Sequence, residues 1–80
     1  MPDLKTLLAD MSRAIVDHPD EIVIEEEMEG EDTIVFILTV AESDMGKIIG
    51  RHGKNARSIR TVMKAAGNLV GKKVIVDIAE

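Results

Sequence analysis

Apolar side chains recur at Leu4, Leu7, Leu8, Met11, Ala14 and Ile15, the i, i+3, i+4, i+7 spacing that gathers them on one side of a helix. The stripe predicts a helix over Leu4 to Val16, with Pro2 and Asp3 suited to its first turn. His18-Pro19-Asp20 closes it, because the residue before a proline avoids helical angles. The period then drops to two. Ile22 to Met28 and Thr33 to Val40 read as strands, joined through Gly30-Glu31-Asp32 into an antiparallel hairpin. In the second strand Ile34, Phe36, Leu38 and Val40 share one face, and Thr33, Val35, Ile37 and Thr39 the other. The run Glu25-Glu26-Glu27 suits a solvated strand edge, where like charges oppose edge-to-edge pairing. Ser43 and Asp44 are N-cap candidates for a short helix, Met45 to Ile49, which Gly50-Arg51-His52-Gly53 breaks. A longer helix is expected from about Lys54 to Ala66, ended by Gly67, Asn68 and Gly71. Its inward residues are Ala56, Ile59, Val62, Met63 and Ala66, while Lys54, Arg57, Arg60 and Lys64 lie largely outward. A last strand, Lys73 to Ile78, sets Val74, Val76 and Ile78 against Lys73, Ile75 and Asp77. The order is αββααβ, an α+β fold with a three-stranded sheet covered on one face by three helices.

Composition narrows the setting. Eighty residues imply one compact domain, 1–80, in which a helix and hairpin (1–41) precede a helix-loop-helix and the last strand (42–80). A core this small gains from self-association. The chain has no cysteine, so neither a disulfide framework nor a thiolate metal site is available, and a reducing compartment such as the cytoplasm is the natural home. The longest apolar run, Ile34 to Leu38, is far short of the roughly 20 residues that span a bilayer, so no membrane partner is expected. Met-Pro-Asp-Leu-Lys has no basic stretch followed by an apolar one, and no signal peptide is expected there. Phe36 is the one aromatic residue, which rules out recognition by stacked rings.

Charge changes the picture more. The net value of -5 argues at first against a polyanionic ligand. Residues 1–45, however, hold thirteen acids against Lys5 and Arg13, whereas residues 46–73 hold eight bases and no acid. A polyanion feels the field within a Debye length, roughly 8 to 10 Å, and not the total.

The basic run coincides with Lys47-Ile48-Ile49-Gly50-Arg51-His52-Gly53-Lys54. Two glycines around two residues, between one helix and the next, allow a sharp turn that brings the backbone itself close to a ligand. The following helix offers its unpaired first N–H groups and the positive end of its dipole, which suit a phosphate. Arg51 and Lys54 add charge beside those amides, and His52 adds a titratable one.

This stretch resembles the K-homology (KH) RNA-binding domain, whose signature is an aliphatic residue and then Ile-Gly-x-x-Gly between two short helices. Ile48-Ile49-Gly50-Arg51-His52-Gly53 fits that pattern at every required position. The helix and hairpin ahead of it, with one strand behind, are similar to the bacterial (type II) arrangement. Over essentially the whole chain the sequence is similar to small bacterial stand-alone KH proteins of the KhpA type, and one departure is His52, where Lys or Gln is common. The resemblance implies a non-enzymatic module that grips about four single-stranded nucleotides, the loop clamping their backbone. Lys47, Ile48, Ile49, Gly50, Arg51, His52, Gly53, Lys54 and Arg57 are then the candidate RNA contacts, with Ile48, Ile49 and Ile75 as floor residues for the bases. It further implies an RNA chaperone or post-transcriptional regulator that self-associates and pairs with a larger partner carrying its own KH domain and a second RNA-binding domain. Val62, Ala65 and Ala66 are the candidate homodimer interface.

Other chemistries fit less well. Lys54 is followed by Asn55, not by Ser or Thr, so the glycines do not form a P-loop, and no GxGxxG is present. His18 and His52 lie in different elements without ligand-like spacing, so neither a metal nor another cofactor is expected, and His18 reads as a surface turn residue. The carboxylates come in runs and no Ser, His and acid arrangement is visible, so an enzyme is not expected. The competing function is a protein-interaction or adaptor module with incidental RNA binding, motivated by aliphatic content and five methionines in eighty residues. A nucleotide-binding regulator using the same loop is a third reading.

Overall fold

The computed structural model describes residues 3–79. Helix α1 (Leu4–Arg13) starts at Asp3, whose carboxylate accepts from the Thr6 N–H at 2.9 Å. Pro2 lies outside the described residues. That bond, above the other contributions, holds the Asp3 carboxyl below the ordinary 3.8. The helix ends three residues before Val16, where its apolar stripe predicts the end. The Ile15 and Val16 N–H groups both return to the Ser12 carbonyl, at 3.1 and 3.2 Å, which tightens the chain out of the helix. Ile15 and Val16 still pack against the core, so the stripe records burial and not helix length.

Strands β1 (Val23–Glu29) and β2 (Thr33–Thr39) form the antiparallel hairpin, with Ile24 opposite Leu38 and Glu26 opposite Phe36. Helix α2 (Met45–Ile49) and helix α3 (Lys54–Leu69) then carry the chain to β3 (Lys73–Ile78). The strand pairs with β2 in parallel, placing Val74 beside Ile34 and Val76 beside Phe36. A parallel pair needs a long crossover, which the two helices supply. The order β1-β2-β3 leaves β1 as an edge, where Glu25, Glu26 and Glu27 are exposed as their charge requires.

Helices cover one face of this mixed sheet. Ile34, Phe36, Leu38, Val40, Val74 and Val76 meet Leu8, Ile48, Ile59 and Met63 in one continuous core. Phe36 at 1% exposure, and Leu8, Leu38, Ile48 and Met63 at 0%, are the largest buried apolar side chains. Each contributes roughly 1.5 to 3 kcal/mol by leaving water.

Helix α3 runs past Ala66 to Leu69, and Gly67 does not end it. Gly67 is buried where the helix touches β3. A Cβ there would lie 2.6 Å from Val74 Cγ2 and 2.7 Å from the Lys72 carbonyl. The stop comes at Gly71, whose φ of +73 turns the chain so that the Lys72 N–H reaches the Gly67 carbonyl at 2.9 Å.

Candidate nucleic-acid interface

The short helix α2 is fixed at its start by a tertiary contact. Asp44 occupies the N-cap position, yet its side chain caps nothing in α2. It is 1% exposed, and its carboxylate accepts from the N–H groups of Asp17 at 3.1 Å and His18 at 3.0 Å, with His18 Nδ1 at 3.2 Å. Burial opposes the charge, but the hydrogen bonds from Asp17 and His18 outweigh it and hold the carboxyl below its ordinary 3.8. One turn on, the Lys47 ammonium pairs with the Asp17 carboxylate, and that bond raises its pKa above the ordinary 10.5.

After Ile49 the backbone leaves helical angles. Gly50 has φ +76 and ψ 172, and a Cβ there would stand 2.7 Å from Asn55 Cγ, so only glycine fits. Arg51–Gly53 form one tight turn, closed by the Gly53 N–H donating to the Gly50 carbonyl at 3.1 Å. His52 (φ 57) and Gly53 (φ 74) are both left-handed. A non-glycine residue held there costs on the order of 1 kcal/mol or more, the kind of local strain found at ligand clamps. This turn delivers the first N–H groups of the 16-residue α3, which no side chain caps. Arg51, His52, Lys54 and Arg57 are exposed around it.

Beside the loop lies a groove of about 360 Å³ lined by Met45, Ile49, Gly53, Ala56, Arg57, Arg60 and Ile78. Its floor is aliphatic. One wall is the edge of β3, where Arg60 Nε donates to the Val76 carbonyl at 3.1 Å. The loop, the α3 N-terminus and the groove therefore meet at one end of the molecule, on the sheet edge opposite the acidic β1.

The family model described as "KhpA/KhpB, KH domain" matches residues 5–78. The chain belongs to that family. It is 45% identical over 75 residues to the "RNA-binding protein KhpA" of Clostridium acetobutylicum, covering 94% of this chain and 99% of the relative. With the protein of the same description from Aquifex aeolicus it shares 38% identity over 80 residues, the full length of both. A crystal structure of an Aquifex aeolicus Era variant matches the fold with a TM-score of 0.62 at 19% identity, covering 98% of this chain and 31% of that one.

Within this member of the family the candidate residues fall into three groups. Gly50, Arg51, His52, Gly53, Lys54 and Arg57 come together around the loop, and Ile49 lines the groove. Lys47 sits at the margin, held by Asp17. Ile48 and Ile75 lie elsewhere. Ile48 is 0% exposed and belongs to the core, and Ile75, 38% exposed, points from the sheet face that the helices leave open. Neither can serve as the groove floor. Met45, Ala56 and Ile78 take that place, brought together by three separate elements, and Arg60, which the sequence puts on the outward side of its helix, lines the groove with them.

Val62 was expected inward but is 43% exposed. With α3 three residues longer than expected, Val62, Ala65, Ala66 and Leu69 form a second stripe at i, i+3, i+4, i+7, and Leu69 at its end is 76% exposed. Among the described residues no group of three or more His, Asp and Glu is arranged to hold a metal ion, and no helix is long and apolar enough to cross a membrane.

Proposed function

We propose that this protein binds single-stranded RNA without catalysing a reaction, taking about four nucleotides per site. The Gly50-Arg51-His52-Gly53 loop clamps the phosphate backbone, and bases lie against Met45, Ile49, Ala56 and Ile78. The observation that carries this reading is the left-handed turn that presents the uncapped α3 N-terminus next to that groove, with Arg51, Lys54 and Arg57 exposed and no acid between residues 46 and 73. Membership of the KhpA/KhpB KH-domain family, a non-enzymatic one whose relatives are described as RNA-binding proteins, supports it. With aliphatic walls in place of aromatic ones, bases are held by apolar contact and by hydrogen bonds to their edges, which makes intrinsic sequence preference low. Three phosphates neutralised by Arg51, Lys54 and Arg57 give a slope of log affinity against log salt of about -2.

The test is an Arg51→Asp and His52→Asp double variant, which keeps the Gly50 and Gly53 turn and places like charge against the phosphate. Binding of a short single-stranded RNA is expected to weaken by about 100-fold or more, from loss of the Arg51 charge-assisted hydrogen bond and from the like charge placed at both positions. A folded double variant with wild-type affinity contradicts the reading.

We further propose that residues 1–80 act as one KH domain that pairs through the outer stripe of α3, with itself and with a larger KH-domain partner. The exposed run Val62, Ala65 and Leu69, with Ala66 half-buried beside it, supports this, since small residues let two helices approach closely. In this reading the dimer serves as an RNA chaperone or post-transcriptional regulator in the cytoplasm, a setting that the cysteine-free composition suits. Val62→Asp is expected to sediment as a monomer. A variant that remains a dimer at the same concentration removes this interface.

A further inference from the structure

Asn55 stands in the first turn of α3, at a position where alanine is the better helix former. Its half-buried side chain donates through Nδ2 to the Lys47 carbonyl at 2.7 Å. That carbonyl belongs to the last turn of α2, where intrahelical partners run out. Side chains of a helix lean toward its N-terminus, which aims Asn55 back across the loop. Gly50 fits directly against it, since a Cβ at Gly50 would lie 2.7 Å from Asn55 Cγ and 2.9 Å from its Cβ. Among the described residues this is the only side-chain hydrogen bond that joins α2 to α3.

We propose that Asn55 is a positioning residue for the Gly50–Gly53 loop. By tying the last turn of α2 to the first turn of α3 it fixes the angle between the two helices. That angle sets the direction in which the α3 amides and the Arg51 side chain meet a phosphate. The role is indirect, acting through backbone geometry, and it rests on the RNA-binding reading above. Asn55 contributes no charge, so its removal leaves the number of phosphate contacts and the salt slope as they were.

The experiment compares wild type, Asn55→Ala, the Arg51→Asp and His52→Asp double variant, and the triple variant, each titrated with a short mixed-sequence single-stranded RNA. Thermal midpoints and backbone amide spectra of the free proteins are recorded alongside. Asn55→Ala is expected to weaken binding about three- to tenfold, the cost of ordering on the RNA a loop that the tie no longer holds. Its thermal midpoint moves little, because the helix preference of alanine offsets the lost hydrogen bond, while the Gly50 to Lys54 amides shift and exchange faster before any RNA is added. In the triple variant the Asn55 substitution adds no further loss, because coupled sites do not add. Wild-type affinity in Asn55→Ala overturns the proposal, and so does a weakened affinity with unmoved loop amides, which marks a direct contact instead. If the Asp double variant binds as well as wild type, the RNA reading fails, and the free-protein amides still decide whether Asn55 holds the loop. Should Asn55→Ala not fold, Asn55→Ser, too short to reach Lys47, is read in the same way.

Discussion

Backbone N–H groups gather at two places flanking α2, and the chain treats them in opposite ways. In front of the helix, the N–H groups of Asp17 and His18 converge on Asp44, a carboxylate that the protein itself supplies and buries to 1% exposure. Behind it, the first N–H groups of α3 follow Gly53 with no side-chain cap, and Arg51, His52, Lys54 and Arg57 surround them. The first cluster has an internal anion and serves the fold. The second has only positive charge around it and suits an anion from outside. A short helix of five residues, Met45–Ile49, connects the two.

Three substitutions sharpen this contrast. The largest effect is expected from Gly50→Val at the outward-facing cluster. Its φ of +76 with ψ 172 is a glycine conformation, and the added Cβ meets Asn55 at 2.7 Å. Stability should fall by about 1 to 3 kcal/mol and RNA binding should be lost, which chemical denaturation and a titration measure separately. At the inward cluster, Asp44→Ala leaves the Asp17 and His18 N–H groups without their acceptor. Here the thermal midpoint should drop clearly while the folded fraction keeps most of its RNA affinity. The reverse pattern, binding lost with stability kept, would merge the two clusters into one site.

The same residue sets an acid limit. Because the folded Asp44 carboxyl lies below its ordinary 3.8, its contribution to stability is present above that value and is lost as pH falls through the lowered folded value. Melts carried from neutral pH into acid should therefore show wild type losing an increment that Asp44→Ala never had. The smallest effect belongs to Asp17→Asn, which releases Lys47. Exposed pairs of this kind contribute little, so stability should hold and RNA affinity should rise by about twofold or less.

Much of this frame is legible from the sequence for a physical reason. A period of two in β2 and β3 and the Gly-x-x-Gly spacing are local properties, and the strands and the loop lie where those patterns put them. What escapes is whatever depends on distant parts of the chain. Asp44 looks like a helix cap because a cap needs only neighbours, whereas its partners lie 26 and 27 residues away. Gly67 looks like a stop signal because its closeness to Val74 exists only once helix and sheet are assembled. Ile48 and Ile49 are adjacent and alike, and five helical residues are too few for periodicity to tell core from groove. Ile75 alternates correctly within β3, yet both faces of that strand carry isoleucine or valine, so alternation alone does not say which one the helices cover. The groove floor of Met45, Ala56 and Ile78 is the extreme case, assembled from three elements with no shared motif.

The loop and the α3 N-terminus as the anion-binding site are tested most directly by backbone amide NMR during titration with a short single-stranded RNA. Large, saturable shifts are predicted at Gly50 to Lys54, with smaller ones at Ala56 and Ile78 in the groove, and none at Asp17 and His18. Shifts centred on the Asp17 and His18 amides or on the open sheet face around Ile75, with Gly50 to Lys54 unmoved at saturation, would contradict the account.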